Sequence, residues 1–165
     1  MGFVIEPLGK HHNRTAFTCG QPDLDDWRAG QDGRRNVARV FAGVEDTLGV
    51  IGFYSLSAFT LSLTDLPEGI AHKLPRYDAI PAALIGRLAR DERVRGQGIG
   101  ELLLADAVRR ILSASKTLAV FAIVVEAKNA RAVAFYEGFG FRLFPLHPDR
   151  LFLLTSCAAA AVERM

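Results

Sequence analysis

Gly96, Gly98 and Gly100 stand at alternate positions directly after Arg95, at the end of an apolar run that begins at Leu84. Glycine lets the backbone approach a ligand closely, and a helix starting at such a turn adds unsatisfied N–H groups and a partial positive charge. The strand, turn and helix from Leu84 to about Ala114 therefore read as an anion cradle. A tight strand-to-helix turn with no ligand is the plainer alternative. Two nucleotide loops are excluded. Gly-x-Gly-x-x-Gly requires a third glycine where Glu101 stands, and no acidic residue ends a matching second strand. No Gly-Lys-Ser/Thr follows either, so a triphosphate site lacks its lysine and its magnesium hydroxyl. The ligand expected here is a pyrophosphate held without metal.

The other reactive side chains point to little metal or redox chemistry. Cys19 and Cys157 are the only cysteines and belong to no Cys-x-x-Cys pair, so reduced thiols are expected. His11 and His12 are adjacent while His72 and His147 are isolated, which gives no helical pair of ligands and predicts surface or loop histidines. The net charge is only +2, yet Arg34, Arg35 and Arg39 form one basic group and Arg87, Arg90, Arg93 and Arg95 a second. Such clusters permit an anionic partner.

The elements that position these residues follow from periodicity. Phe3 to Pro7 reads as a strand, and Asp23 to Arg28 as a helix start that buries Leu24 and Trp27. Val37 to Glu45 and Leu48 to Leu63 are two antiparallel strands broken at Asp46-Thr47, and Thr64 to Pro81 is an irregular connection. Leu84 to Val94 is a strand. The helix after the glycines places Leu102, Leu103, Ala107, Ile111 and Leu112 near one stripe. Thr117 to Val125 reads as a central strand covered on both faces. Asn129 to Phe139 is a helix capped by Asn129 and stopped by Gly140. Phe141 to Phe144 and Arg150 to Thr155 are two last strands, followed by a tail or short helix at Ala158 to Ala161. This order predicts an α/β sheet with antiparallel edges and a parallel pair in the middle.

The chain has 165 residues, half of them hydrophobic, which suits one packed domain over residues 1–165. No apolar run approaches the roughly 20 residues that span a bilayer, and the start, with Glu6 and no apolar core, is unlike a signal peptide. A cytoplasmic protein with no membrane partner is expected.

Leu88-Ala89-Arg90-Asp91 followed by Arg95-Gly96-Gln97-Gly98-Ile99-Gly100 resembles the Arg/Gln-x-x-Gly-x-Gly/Ala signature of the GNAT superfamily of N-acetyltransferases, with Arg95, Gly98 and Gly100 at the signature positions. The stretch from Asn129 through Phe135-Tyr136 to Gly140-Phe141 is similar to that family's closing motif. The resemblance implies the GNAT fold: a mostly antiparallel sheet of six or seven strands, a splayed central parallel pair and about four helices. It implies acetyl-CoA as cofactor, with its pyrophosphate on the amides of Arg95, Gly96, Gln97, Gly98, Ile99 and Gly100. The pantetheine arm would lie along Leu88, Ala89 and Arg90, with Asn129 and Phe135 as further contacts.

Acetyl transfer needs a neutral amine, a polarised carbonyl and a proton for the departing thiolate. The resemblance assigns the proton to Tyr136; on the residues alone Tyr136 is better explained by ring packing. Asn129 is explained equally by helix capping. The oxyanion donor would be a backbone N–H near Arg90. Glu45, Asp46 and Glu126 are available as general bases or as solvated charges.

A narrower resemblance spans nearly the whole chain. Phe17-x-Cys19-Gly20-x-x-x-Leu24-Asp25-x-Trp27, Ile51-Gly52-Phe53-Tyr54-Ser55-Leu56 and Pro81 with Ile85-Gly86-Arg87-Leu88-Ala89 look like the acetyltransferase toxins of type II toxin–antitoxin modules. Membership would imply acetylation of the α-amine of aminoacyl-tRNA, a block of translation, a ribbon-helix-helix antitoxin as partner and a homodimer. Arg34, Arg35, Arg39, Arg76 and Arg87 are then candidates for tRNA phosphate contacts, or else a solvated basic face. Gly30, Gly33, Arg34, Arg35 and Asn36 depart from the smoother helix such toxins carry there. Two alternatives stand beside this reading: acetylation of a protein lysine or small amine, and a non-enzymatic acyl-CoA-binding regulator.

Overall fold

The computed structural model describes residues 2–9, 12, 17–18, 37–75 and 79–165. Seven strands run in chain order: β1 (Val4–Pro7), β2 (Arg39–Glu45), β3 (Gly49–Leu61), β4 (Ile80–Arg90), β5 (Ala122–Glu126), β6 (Arg142–Phe144) and β7 (His147–Leu154). Four α-helices lie among the described residues: α1 (Glu68–Ala71), α2 (Ile99–Ala114), α3 (Ala130–Glu137) and α4 (Thr155–Glu163). The strands form one sheet in the order β1-β2-β3-β4-β5-β7-β6. β4 and β5 are parallel, whereas β1–β2, β2–β3, β5–β7 and β6–β7 are antiparallel. Parallel neighbours cannot be joined by a hairpin, and α2 supplies the crossover.

The chain divides into two compact units, residues 1–57 with 86–107 and residues 58–85 with 108–165. In the first, the β2–β3 hairpin turns at Asp46–Leu48. The Glu45 carboxylate closes it by accepting the N–H groups of Thr47 (3.0 Å) and Leu48 (2.6 Å). Ile51, Val94, Ile99 and Leu103 form one buried cluster, and Phe53 with Ala89 and Phe17 another. Gly52 lets α2 lie against β3: a Cβ there would meet Leu103 Cδ1 at 2.6 Å and the Ala89 carbonyl oxygen at 3.1 Å. Tyr54 is fully buried, stacks on Phe41 and donates its hydroxyl to Asp106 of α2. That bond removes the cost of burying a phenol and fixes how α2 is rotated on the sheet.

In the second unit, Ala122, Ile123, Val124 and Val125 of β5 are fully buried, as a strand covered on both faces must be. Ile123, Val124 and Val125 each contribute roughly 1.5–3 kcal/mol by their burial. Leu61, Ile80, Ala82, Val124, Phe144 and Phe152 form the cluster around them. The C-terminal alanines are helix, with Ala158 and Ala161 fully buried.

Several boundaries differ from expectation. β4 begins at Ile80 and ends at Arg90, because Asp91 caps a 3-10 turn, Glu92–Val94, in place of further strand. β5 begins only at Ala122: Thr117 and Leu118 donate their N–H groups back to Ala114 and belong to the turn that closes α2, leaving Leu118 72% exposed. The buried residues of α2 include Leu103, Leu104, Ala107, Val108 and Ile111, whereas Leu102 is 45% exposed. The connection over Thr64 to Pro81 contains α1, preceded by a 3-10 turn at Leu63–Asp65 that Ser62 caps. α3 ends at Glu137, two residues short of Phe139, and β7 starts at His147. His12 is buried, with Gly9 N–H donating to its Nδ1 (2.7 Å) and Nε2 facing Glu6 (2.7 Å). The helix expected at Asp23 to Arg28 lies outside the described residues.

Candidate active site

The cradle is built on the first unit. The parallel ladder runs from Ala82↔Ala122 to Ile85↔Val125, and β4 itself continues to Arg90. Leu88 packs beside the Ile51 cluster, Ala89 is buried against Phe53, and Arg90 is half-buried. After the 3-10 turn, Arg95, Gly96, Gln97 and Gly98 are exposed, and Ile99 is buried as the first residue of α2. Gly96 and Gly98 have φ of 81° and 74°, a conformation that costs a residue with a Cβ about 1–2 kcal/mol. A Cβ placed at either glycine would meet nothing within 4 Å, so the space beside the loop is open. Leu102 N–H donates to the Gly98 carbonyl, which begins the helical ladder. The N–H groups from Gly98 to Glu101 precede that ladder and form the positive end of a 16-residue helix. Together with Arg95, which opens the loop with its side chain 65% exposed and 4.0 Å from the Glu92 carboxylate, they make a donor set that fits a pyrophosphate. Gly100, the third glycine of the motif, lies in the helix's first turn with φ in the ordinary range.

A buried carboxylate sits where the loop begins. Asp91 is 0% exposed. Its Oδ1 accepts Arg93 N–H (2.8 Å) and Nε (2.9 Å), and its Oδ2 accepts Arg93 Nη2 (2.9 Å) and Thr18 N–H (3.2 Å). Burial pushes the Asp91 pKa up, but the Arg93 side chain, the two backbone donors and the Arg93 charge outweigh it and leave the group below its ordinary 3.8. Arg93, in turn, is held charged by Asp91 and by the field of Glu45.

The proton-donor candidate belongs to the second unit. Asn129 Oδ1 accepts Ala132 N–H (2.9 Å), which caps α3 as its sequence position predicts. Phe135 is half-buried and its ring meets those of Tyr136 and Phe139 edge-on at 5.3 and 5.4 Å. Tyr136 is 6% exposed, and its ring also packs on Phe141. Burial alone pushes its phenol up from 10.0 to about 12, so the proton stays on oxygen throughout the neutral range. Gly140, with φ of 94°, ends this segment, and a Cβ there would lie 2.9 Å from the Arg164 guanidinium.

Of the base candidates, Glu45 is engaged in closing its hairpin, Glu126 pairs with Arg150 (3.1 Å), and Asp46 is exposed in the turn. Arg39 is exposed at the start of β2 and Arg87 is half-buried on β4; Arg34, Arg35 and Arg76 lie outside the described residues. Sequence reasoning passed over Asp91, Arg93 as its partner, and the Tyr54–Asp106 bond. Only the first left a local trace, an aspartate preceding the loop at a capping position.

The sheet with one parallel pair, its crossover helix opened by the glycine loop, and the capped helix that follows define a GNAT-type acetyltransferase. Residues 38–143 match the acetyltransferase (GNAT) domain family, and the chain belongs to that family of acetyl-CoA-dependent enzymes. It is similar to a probable toxin TacT of Sinorhizobium fredii, 35% identical over 162 residues that cover 91% of this chain and 90% of the relative. It is 35% identical over 151 residues to a tRNA-acetylating toxin of Mycobacterium tuberculosis, covering 90% and 89%. Among solved structures, AtaT complexed with acetyl-methionyl-tRNAfMet superposes with a TM-score of 0.88 at 28% identity, over 96% of this chain and 98% of that one. A Tyr-to-Phe mutant of AtaT bound to the C-terminus of the antitoxin AtaR does so at 0.80 and 26%, over 96% of each. No helix among the described residues is long and apolar enough to cross a membrane.

Proposed function

We propose that this chain is a toxin that acetylates the α-amine of aminoacyl-tRNA and so blocks translation. The observation that carries the choice of amine is that two of the three candidate bases are engaged: Glu45 closes a turn and Glu126 pairs with Arg150. A lysine ammonium, with a pKa of about 10.4, needs a base to remove its proton. An α-amine starts from only about 7.7–8.0, and esterification lowers it further, so much of it is already neutral at pH 7. The tRNA-acetylating relative, at 35% identity over nine-tenths of the chain, supports the same acceptor.

Acetyl-CoA, when bound, supplies the activated acetyl thioester. In this reading the amides of Arg95 to Gly100 hold its pyrophosphate, and the backbone of Leu88, Ala89 and Arg90 aligns its pantetheine arm. Asn129 and Phe135 lie on the helix that carries Tyr136, and Tyr136 holds the proton that the leaving thiolate takes. The raised phenol pKa suits a donor that stays protonated, and the dry surroundings that raise it disfavour a free thiolate as well. Arg39 and Arg87, with Arg34, Arg35 and Arg76, contact tRNA phosphates. An antitoxin of the ribbon-helix-helix class, a homodimer and a cytoplasmic site of action complete the reading; AtaT's complex with its antitoxin supports an antitoxin as partner.

Purified protein with acetyl-CoA should halt cell-free translation and leave N-acetylated aminoacyl-tRNA. Unimpaired translation by a preparation that acetylates lysine peptides or small amines would overturn the reading. Tyr136→Phe should lower kcat by about 10²-fold or more at saturating substrates, the range a positioned proton donor contributes.

A further inference from the structure

We propose that Asp91 is a positioning residue that holds the pyrophosphate loop and Thr18 with a single buried carboxylate. Its two oxygens receive four donors, three from Arg93 and one from Thr18. The arrangement works in both directions along the chain. Toward the loop, Asp91 caps the 3-10 turn Glu92–Val94, whose last carbonyl accepts Gln97 N–H (3.3 Å) from within the glycine loop. Toward the N-terminus, Thr18 is gripped at both backbone groups, since its carbonyl also accepts Glu92 N–H (2.8 Å). The neighbouring Phe17 ring packs on Phe53. Asp91 N–H donates to the Ile51 carbonyl (2.7 Å), which anchors the whole assembly to β3.

Arg93 therefore stands apart from the other arginines of its cluster. Its guanidinium fork is committed to Asp91 and is only 32% exposed, whereas that of Arg95 is 65% exposed beside the loop. A buried carboxylate stripped of its cation is strongly disfavoured, so a change in the pair must be relieved by movement of the capped turn, of Thr18, or of both. This inference rests on the reading of the loop as a CoA site.

The test uses Asp91→Asn, Arg93→Gln and the milder Arg93→Lys, with coenzyme A itself as probe. CoA affinity is measured calorimetrically, and amide exchange is followed at Thr18, in the loop and at Val124 and Val125 of β5. CoA affinity should fall at least tenfold in the first two variants and less in Arg93→Lys, which keeps the charge but loses the fork. Thr18 and loop amides should exchange at least tenfold faster while the β5 amides stay unchanged. Wild-type CoA affinity in a folded variant overturns the proposal, as does faster exchange at all amides alike, which marks general destabilisation. Loss of CoA affinity with Thr18 exchange unchanged overturns the shared grip. Because no acceptor amine is present, a failure here is distinct from a failure of the tRNA reading.

Discussion

Tyr136 and Asp91 are both buried, and their surroundings shift them in opposite directions. Among the described residues no charge partner offsets the desolvation of Tyr136, so its phenol rises to about 12. The unfolded chain ionises near 10, so the native state is fully favoured below pH 10 and loses that advantage as pH climbs toward 12. The loss is roughly 3 kcal/mol, two pKa units at about 1.4 kcal/mol each. Urea unfolding between pH 9 and pH 12 should show this alkaline decline, and Tyr136→Phe should remove it. Asp91 has the reverse sign. Its native pKa lies below 3.8, so it contributes stability above the unfolded value that is lost as pH falls below about 4. Asp91→Asn should flatten that acid limb in the same measurement. Asn129 separates into its two readings by substitution. Loss of the cap in Asn129→Ala should cost about 1 kcal/mol, which Asn129→Asp restores because aspartate caps equally well. If Asn129 also contacts the pantetheine arm, the aspartate variant keeps its stability while its KM for acetyl-CoA rises.

At the scale of elements, the turn, the caps and the crossover were legible because each depends on a local chemical necessity. Gly96 and Gly98 take positive φ, and the Asn129 side-chain oxygen accepts the amide N–H three residues on. The boundaries were less legible because apolar runs look alike whatever backbone they adopt. Thr117 to Phe121 reads as strand, yet the Ala114 carbonyl receives two amides from that stretch and keeps its start in the helix terminus. Pro81 reads as a break, but it is the second residue of β4, where a missing N–H is tolerated. Gly52 shows what sequence spacing cannot: its reason lies in Leu103, on another element. Gly52→Ala should push α2 off β3 and cost about 1–3 kcal/mol. For a chain of this size that lowers Tm by roughly 2–4 °C per kcal/mol. Because Leu103 is one turn beyond the glycine loop, CoA affinity should fall with it; thermal melts and calorimetry on the same variant check both.

For the whole molecule, the family was legible and the internal wiring was not. Two motifs in the right order specify a sheet with its crossover, but nothing near Asp91 in sequence announces that its partner Thr18 lies 73 residues away. The same distinction governs the acceptor. A net charge of +2 is too small to attract a polyanion by itself, so the proposed tRNA reading requires local positive charge, for which Arg39 and Arg87 are candidates. Each phosphate contact releases counterions, and three contacts give a slope of about −2.7 in log affinity against log salt. Raising the salt fourfold, from 50 to 200 mM, should then raise the KM for aminoacyl-tRNA by about forty-fold. The acetyl-CoA KM should move far less, since the proposed reading places its pyrophosphate on backbone amides with one exposed arginine, Arg95, at the loop. Substituting Arg39 or Arg87 by Gln should reduce the salt slope by about one contact, close to 0.9, and leave the affinity for acetyl-CoA unchanged. A small amine or a lysine side chain has no phosphates, and its KM would be nearly independent of salt. A flat profile for the preferred acceptor would therefore remove tRNA as the substrate while leaving the acetyltransferase chemistry intact.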